Sequence, residues 1–462
     1  MLRLIALILE VRSYIMFDVV VIGAGPGGYT CAIRAAQLGA KTCIIEKNGM
    51  GGTCTQRGCI PTKYLHSLGE IVRRTAAAKK NGINATIQLD YNLIRSRMMS
   101  TVSKLASGIE LLLKSNDIDM VSGDAHIVSQ NEIAVNNGSS SIETRNIVIA
   151  TGSYPISLNG HTFKDNVLST TSILELQTLP KSIIVVGGGC SGCEFASILN
   201  VLGSKVFVVE AEKNLLPGLP DEVGNSIEKY MRLDGIDVMT NSEVDKITDA
   251  GAIVNAKQIE ASNILVCIGR KPNILENELN LIGVNFNSRG IIVNDKMQTN
   301  LDNVYAIGDV TGTYELAHVA SKQGEVAAEN IMGIAISIDY HSVPACVFTY
   351  PEIAFVGQLR GTRSGAFPLT ASAKASCLGE SRGLVKVFEE GGIIVGVLII
   401  APHAGEMIAE AALAVRLKLK IEDVYGTIHA HPTLPESFLE AARDVGNNAI
   451  HLPSRRKKSN EY

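Results

Sequence analysis

Two copies of one strand, glycine loop, helix and strand pattern, followed by short strands and a late helix, predict an α/β chain. It has two Rossmann-like dinucleotide-binding units and a separate C-terminal α+β domain. The first copy is DVVVIGAGPGGYTCAIRAAQLGAKTCIIE, from Asp18 to Glu46. The second is SIIVVGGGCSGCEFASILNVLGSKVFVVE, from Ser182 to Glu210. In each, a terminal Glu lies 18 residues beyond the third loop glycine. A lone G-x-G-x-x-G is weak evidence, but two copies between a strand and a helix, each with an acid at the right distance, are strong.

The residue types reflect the chemistry. The first glycine (Gly23, Gly187) permits a tight turn, and the second (Gly25, Gly189) lets a pyrophosphate approach the backbone. The third (Gly28, Gly192) lets the helix pack on the strand. Free N–H groups at the helix start stabilise phosphate. Glu46 and Glu210 are placed to accept from ribose hydroxyls. Glu210 also repels a 2′-phosphate, and the next stretch, AEKNLLPG, has one Lys and no Arg, which favours NAD over NADP.

Composition narrows the rest. The chain has 462 residues, 46% hydrophobic and 19% charged, so about three domains with sizeable cores are expected and disorder is excluded. Net charge is −4, which provides no basic field for nucleic acid. No apolar run reaches the length of a membrane span. Leu4 to Leu9, behind Arg3, is too short for a signal-peptide core and no small-residue cleavage site comes after it; residues 1–15 read as an upstream extension with Met16 as the working start. Nine cysteines, an odd number at low density, read mostly as reduced, small buried hydrophobes of a cytoplasmic protein.

Between the two units, apolar residues at Ile94, Met98, Val102, Leu105, Ile109 and Leu112 predict an amphipathic helix over Tyr91 to Lys114. Short strands run on to Ile149, and Ala150-Thr151-Gly152 closes the lobe. ILVCIGRKPN near Arg270 and VYAIGDV, Val304 to Val310, are further strand ends that meet a glycine. From Ser342 the pattern becomes short strands and a helix from Ala404. The expected segments are 16–150 and 274–341 for the first nucleotide domain, 151–273 for the second and 342–462 for the last domain. The basic tail Arg455–Lys458 reads as a solvated end.

One segment carries reactive groups: GGTCTQRGCIPTK, residues 51–63. Cys54 and Cys59 admit a zinc site, a structural disulfide, two inert thiols or a redox-active pair. Zinc lacks two further ligands at suitable spacing, and a structural disulfide is out of place in a reducing compartment. The permissive glycines around the pair favour the redox reading. Pro61 suits a first helical turn, which places Cys59 near a helix N-terminus that favours its thiolate, with Lys63 adding positive charge. Near the end, IHAHPTLPE (Ile428 to Glu436) offers two histidines and an acid: a metal site, a capping arrangement, or a base with its orienting carboxylate.

GAGPGG, GGTC-x4-CIPTK, ATGS, GGG-x2-GCEF, IGRKPN, AIGD, LAHVA and HAHPTLPE occur in this order along nearly the whole chain. In this it resembles the flavin-dependent pyridine nucleotide–disulfide oxidoreductases. The resemblance implies FAD on the first unit, NAD on the second, and a C-terminal dimerisation domain. It implies that Gly23, Gly25, Gly28 and Glu46 hold the FAD pyrophosphate and ribose. Thr53, Lys63, Thr151, Gly152, Asp309, Ala317 and His318 then lie along the flavin, with Ala125 near the adenine. Gly187, Gly189, Gly192, Glu210 and Gly269 hold NAD, and Glu194 partners Lys63. Cys54 and Cys59 become the redox disulfide, His431 the general base with Glu436 fixing its tautomer, and His429 structural. No metal is implied.

The implied reaction is oxidation of dihydrolipoyl groups on the carrier domain of an acyltransferase, in the core of a 2-oxo acid dehydrogenase complex. The base is expected to act from the other subunit of a homodimer. The alternatives are an NAD(P)H-driven disulfide or metal-ion reductase and a non-catalytic flavin-bearing subunit. A mercuric reductase carries a further cysteine pair near its end, whereas the last cysteine here is Cys377, and a glutathione reductase reads NADP with arginines. The chain departs from the family pattern after Gly357, where residues 358–380 look shortened.

Overall fold

The computed structural model describes residues 16–136, 138–158 and 160–453. The proposed extension before Met16 and the basic run Arg455–Lys458 lie outside the described residues. The chain forms two compact units. One comprises the chain up to Pro61, Ser96–Tyr154 and Arg270–Ile338; the other comprises Thr62–Arg95, Pro155–Gly269 and the chain from Asp339.

The first unit starts with β1 (Phe17–Ile22), α1 (Pro26–Gln37) and β2 (Thr42–Glu46). A short helix α2 (Gly52–Arg57) comes next, and α3 (Cys59–Ala78) runs on into the second unit. After α4 (Tyr91–Ser115) come β3 (Asp119–Ser122), β4 (Ala125–Ser129), β5 (Glu132–Val135) and β6 (Ser140–Ile149). The sheet order is β3-β2-β1-β6-β5-β4, with the strand Val304–Ala306 paired to β6. Strands β1, β2, β3 and β6 run parallel, whereas β4 and β5 pair antiparallel.

Both faces of this sheet are covered, which explains the unbroken β-branched run. Val19 and Val21 pack with Ile44 and Val148 on one face. Val20 and Ile22 pack with Ile45, Ile147 and Ile149 on the other. The helix foreseen between the units is present as α4, but its buried stripe is Met98, Val102, Ala106, Ile109 and Leu113. Leu105 and Leu112 are exposed instead. Leu105 and Leu112 each sit one position before a buried residue, at the edge of the stripe. Here the small Ala106 takes the place inside.

In the second unit β7 (Val167–Ser169), β8 (Ser182–Val186), α5 (Cys190–Val201), β9 (Lys205–Val209), β10 (Asp237–Met239) and β11 (Asn263–Val266) succeed one another. Their all-parallel sheet has the order β10-β9-β8-β11-β7. The last part is an antiparallel sheet of β12 (Pro344–Val347), β13 (Glu352–Gly357), β14 (Arg363–Pro368), β15 (Leu384–Glu390) and β16 (Ile393–Ala401), in the order β12-β13-β16-β15-β14. Helices α6 (Ala404–Arg416) and α7 (Glu436–Asp444) cover it, sharing a core of Val385, Val397, Ile399, Ile408 and Phe438. The stretch 358–380 still supplies the edge strand β14 and a short helix, Ala373–Leu378.

Residues 62–95 group with the second unit through ion pairs. Arg73 meets Asp234 at 2.7 Å and Glu380 at 3.4 Å, and Arg382 bridges the same two carboxylates.

Candidate active site

The two glycine loops have the same geometry. Gly23 has φ +103° and Gly187 φ +101°, a left-handed conformation open to glycine. A Cβ on Gly28 would lie 1.9 Å from the Gly23 carbonyl oxygen, and one on Gly192 1.9 Å from that of Gly187. Around Gly25 and Gly189 nothing lies within 4 Å of where a Cβ would stand. Each second glycine is the residue just before its helix and opens into free space. That space at a helix N-terminus fits a pyrophosphate, so both units have the shape a dinucleotide needs.

The terminal acids are also equivalent. Glu46 Oε2 accepts from the Ala24 N–H at 2.7 Å and Oε1 from the Asn48 N–H at 2.7 Å. Glu210 Oε2 accepts from the Gly188 N–H at 2.5 Å and Oε1 from the Glu212 N–H at 2.8 Å. These bonds lock each carboxylate beside its loop, and every oxygen keeps a second lone pair for a hydroxyl donor.

Cys54 lies within α2 and Cys59 is the first residue of α3. Both are partly exposed. The loop before them folds back on the first unit: the Gly51 N–H donates to the Ala24 carbonyl at 2.9 Å, and a Cβ on Gly52 would lie 2.6 Å from Gly25 Cα. Thr53 is the next residue. Three other thiols, Cys31, Cys43 and Cys193, are fully buried. Burial pushes Cys31 and Cys43 up to about 12, and burial raises Cys193 as well, so these behave as inert thiols.

In the second unit, Lys63 Nζ lies 2.7 Å from Glu194 Oε2 and 4.5 Å over the Phe348 ring. The other Glu194 oxygen accepts from the Phe348 N–H at 3.0 Å. Glu194 is itself a buried residue of α5, so this charge is paired twice. Gly269 ends the β11 loop with φ +115°.

The remaining flavin-side candidates fall in the first unit. Thr151 Oγ1 donates to the Asn273 carbonyl at 2.8 Å, and Gly152 beside it faces open space. Asp309 Oδ2 accepts from Ser153 Oγ at 2.5 Å and lies 4.0 Å from Arg270 Nε. Burial, then the charge of Asp309, raises the neighbouring Glu315. Ala317 and His318 open the helix Ala317–Ile331. Ala125 starts β4 with its side chain in the core, so its backbone is the part that can meet a ligand. Ser153 and Arg270 were not singled out in the sequence. They meet across 117 residues, and no local signal predicts that pairing.

The C-terminal pair is formed as expected: His431 Nδ1 lies 2.9 Å from Glu436 Oε1, and Glu436 Oε2 accepts from the Thr433 N–H at 2.8 Å. Burial works against the Glu436 charge, but the Thr433 N–H and His431 outweigh it and hold the carboxyl below its ordinary range. With Nδ1 directed at the carboxylate, Nε2 is presented outward on a ring that is 71% exposed. His429 is tied down instead, to Glu410 at 3.0 Å and the Thr427 carbonyl at 3.0 Å. Ile428, beside it, is 96% exposed.

Residues 17–324 match the family profile described as pyridine nucleotide-disulphide oxidoreductase, and residues 343–442 match its dimerisation domain. Among curated relatives, the dihydrolipoyl dehydrogenase of Chlamydia muridarum is 40% identical, covering 96% of this chain and 99% of its own. That of Geobacillus stearothermophilus is 38% identical, covering 94% and 97%. Among solved structures, LpdA from Mycobacterium tuberculosis superposes with a TM-score of 0.86 at 26% identity, covering 92% of this chain and 99% of its own. The HOCl-induced flavoprotein disulfide reductase RclA from Escherichia coli gives 0.83 at 25% identity, covering 92% and 99%.

Proposed function

Because the chain belongs to the pyridine nucleotide-disulphide oxidoreductases, an FAD- and NAD-dependent enzyme family, we propose an assignment of its substrate and residues. The substrate is a dihydrolipoyl group carried on the flexible domain of an acyltransferase, and the product is the cyclic lipoyl disulfide. The observation that carries this is the near-full-length similarity to dihydrolipoyl dehydrogenases, which spans both glycine loops, the cysteine segment and the dyad.

FAD is assigned to Gly23, Gly25, Gly28, Glu46, Thr53, Lys63, Thr151, Gly152, Asp309, Ala317, His318 and the Ala125 backbone. NAD is assigned to Gly187, Gly189, Gly192, Glu210 and Gly269. FAD supplies a two-electron acceptor that links thiol chemistry to hydride transfer.

The protein's own groups do the remaining work. His431 Nε2 takes a proton from a substrate thiol, because the thiolate is the nucleophile. Glu436 holds the ring in the required tautomer and stabilises the imidazolium that forms. The thiolate attacks Cys54 of the oxidised Cys54–Cys59 pair. Cys59 leaves as a thiolate at the N-terminal turn of α3, where free N–H groups stabilise negative charge. The imidazolium passes its proton to the departing Cys54 sulfur as the second substrate sulfur, giving up its own proton to the freed ring, attacks the mixed disulfide and displaces Cys54 as a thiol. Glu194 anchors Lys63 so that its charge is fixed.

The dimerisation domain supports a homodimer, and we assign His431 to the cysteine pair of the second copy. Work in the core of a 2-oxo acid dehydrogenase complex, in the cytoplasm, fits this substrate. No helix among the described residues is long and apolar enough to cross a membrane.

The test is a direct assay. The purified protein should be yellow and should reduce NAD, in preference to NADP, with free dihydrolipoamide. Turnover with NADPH and another disulfide, but none with dihydrolipoamide, would place it instead among the reductases that RclA represents.

A further inference from the structure

Away from both glycine loops, three segments of the second unit bring metal-binding side chains together. Glu70 lies on α3, Glu352 opens β13, and His403 immediately precedes α6. One ligand atom from each lies within 4.8 Å of the others.

The chemistry of the cluster is unbalanced. Glu352 is only 9% exposed, yet the one hydrogen bond it receives is from the Gly405 N–H to Oε2, at 2.9 Å. Among the described residues, no hydrogen bond reaches its second oxygen, and neither a hydrogen bond nor an ion pair reaches the half-buried Glu70 carboxylate. Glu406, in the first turn of α6, adds to the negative field at Glu352. A buried carboxylate facing further acids is costly unless it takes up a proton or a cation joins it.

His403 is ready to act as a ligand. Arg74 Nη2 lies 2.9 Å from His403 Nε2. A guanidinium only donates, so Nε2 carries a lone pair. Arg74 is exposed and lies one turn of α3 beyond Glu70, so it can swing into solvent and release that lone pair.

We propose that Glu70, Glu352 and His403 form a binding site for a divalent first-row transition ion, zinc above all. Two carboxylates neutralise the ion's charge, and the imidazole selects against magnesium and calcium, which favour all-oxygen shells. Three protein ligands leave a position for water. The Gly405 N–H holds the Glu352 carboxylate in place, as an outer contact does for a metal ligand. An ion there ties α3, the helix that begins at Cys59, to β13 and the start of α6. The expectation from sequence was no metal, and the three residues are too far apart in the chain for spacing to show otherwise.

The test uses the FAD-loaded full chain, stripped with a chelator and with the cysteine pair oxidised, so that sulfur does not compete for metal. Titration calorimetry with zinc should show one ion per chain, with no heat from magnesium. Glu70→Gln and His403→Ala should each weaken zinc binding about 10- to 100-fold. Arg74→Ala should tighten it, because a competitor for Nε2 is gone. A Cys54→Ser, Cys59→Ser double variant should bind as the parent does. If His403→Ala fails to load FAD, Glu70→Gln decides alone. Absence of zinc binding by the parent at millimolar concentration overturns the site, as does binding that ignores Glu70→Gln or vanishes with the cysteines. None of these results bears on the dithiol reaction.

Discussion

The β1–α1–β2 and β8–α5–β9 units share loop conformation, close approaches and acid hydrogen bonds, yet they diverge immediately after the terminal glutamate. After Glu46 the chain runs through glycines, and Gly51 and Gly52 press on Ala24 and Gly25. This carries Cys54 and Cys59 onward from the loop. After Glu210 the chain turns through leucines: the Leu216 N–H donates to the Gly188 carbonyl at 2.8 Å, and Leu215 crowds the space beside Gly188. The helices differ too. α1 packs on the helix Ala317–Ile331 so tightly that a Cβ on Gly324 would lie 2.4 Å from the Gly27 carbonyl oxygen. α5 instead carries Glu194 to Lys63. One nucleotide scaffold thus serves two purposes. The two units differ in the segment beyond the acid and in the element packed on the helix: the first leads into the cysteine pair, the second into Leu215 and Leu216.

The comparison can be broken in several ways. The largest effect is expected for Cys59→Ser, which should abolish NAD reduction by dihydrolipoamide while the protein stays yellow. Full activity would remove the chemical distinction between the two units. His431→Gln should lower dithiol oxidation about 10²–10⁴-fold, the usual contribution of a general base. It should leave NADH-driven reduction of dyes intact, and equal loss of both would make His431 a structural residue.

Smaller effects sharpen the equivalence. Gly28→Ala and Gly192→Ala meet the same 1.9 Å obstruction, at a cost of about 1–3 kcal/mol each by overpacking. The first should lose flavin on gel filtration. The second should keep flavin and weaken NAD binding. Matching losses from both would show that the loops are not independent.

The smallest effect concerns Glu436, which touches neither loop. Its carboxyl is held below the ordinary range in the folded chain. The stability it contributes is therefore present above the unfolded value and is lost as pH falls through the folded one. Melting curves of Glu436→Ala and the parent should differ by on the order of 1 °C at neutral pH, and the gap should close in acid.

The sequence by itself determined the two nucleotide units, because a turn, a close backbone approach and an acid at fixed distance are local requirements that glycine and glutamate meet within a single short stretch of chain. The His431–Glu436 pairing, five residues apart, was one of three readings the residues left open, and only the family resemblance singled it out. Only the tertiary structure decided the pairings between distant segments: Asp309 with Ser153, Arg73 with Asp234, and Glu70 with Glu352 and His403. It also decided the edge of the buried stripe on α4, where Ala106 is buried and Leu105 is not, while Met98, Val102 and Ile109 are buried as expected. The reason is physical. Hydrophobic burial fixes which strands and helices lie side by side but has no direction, so which polar tips then meet depends on register and crossing between elements far apart in the chain.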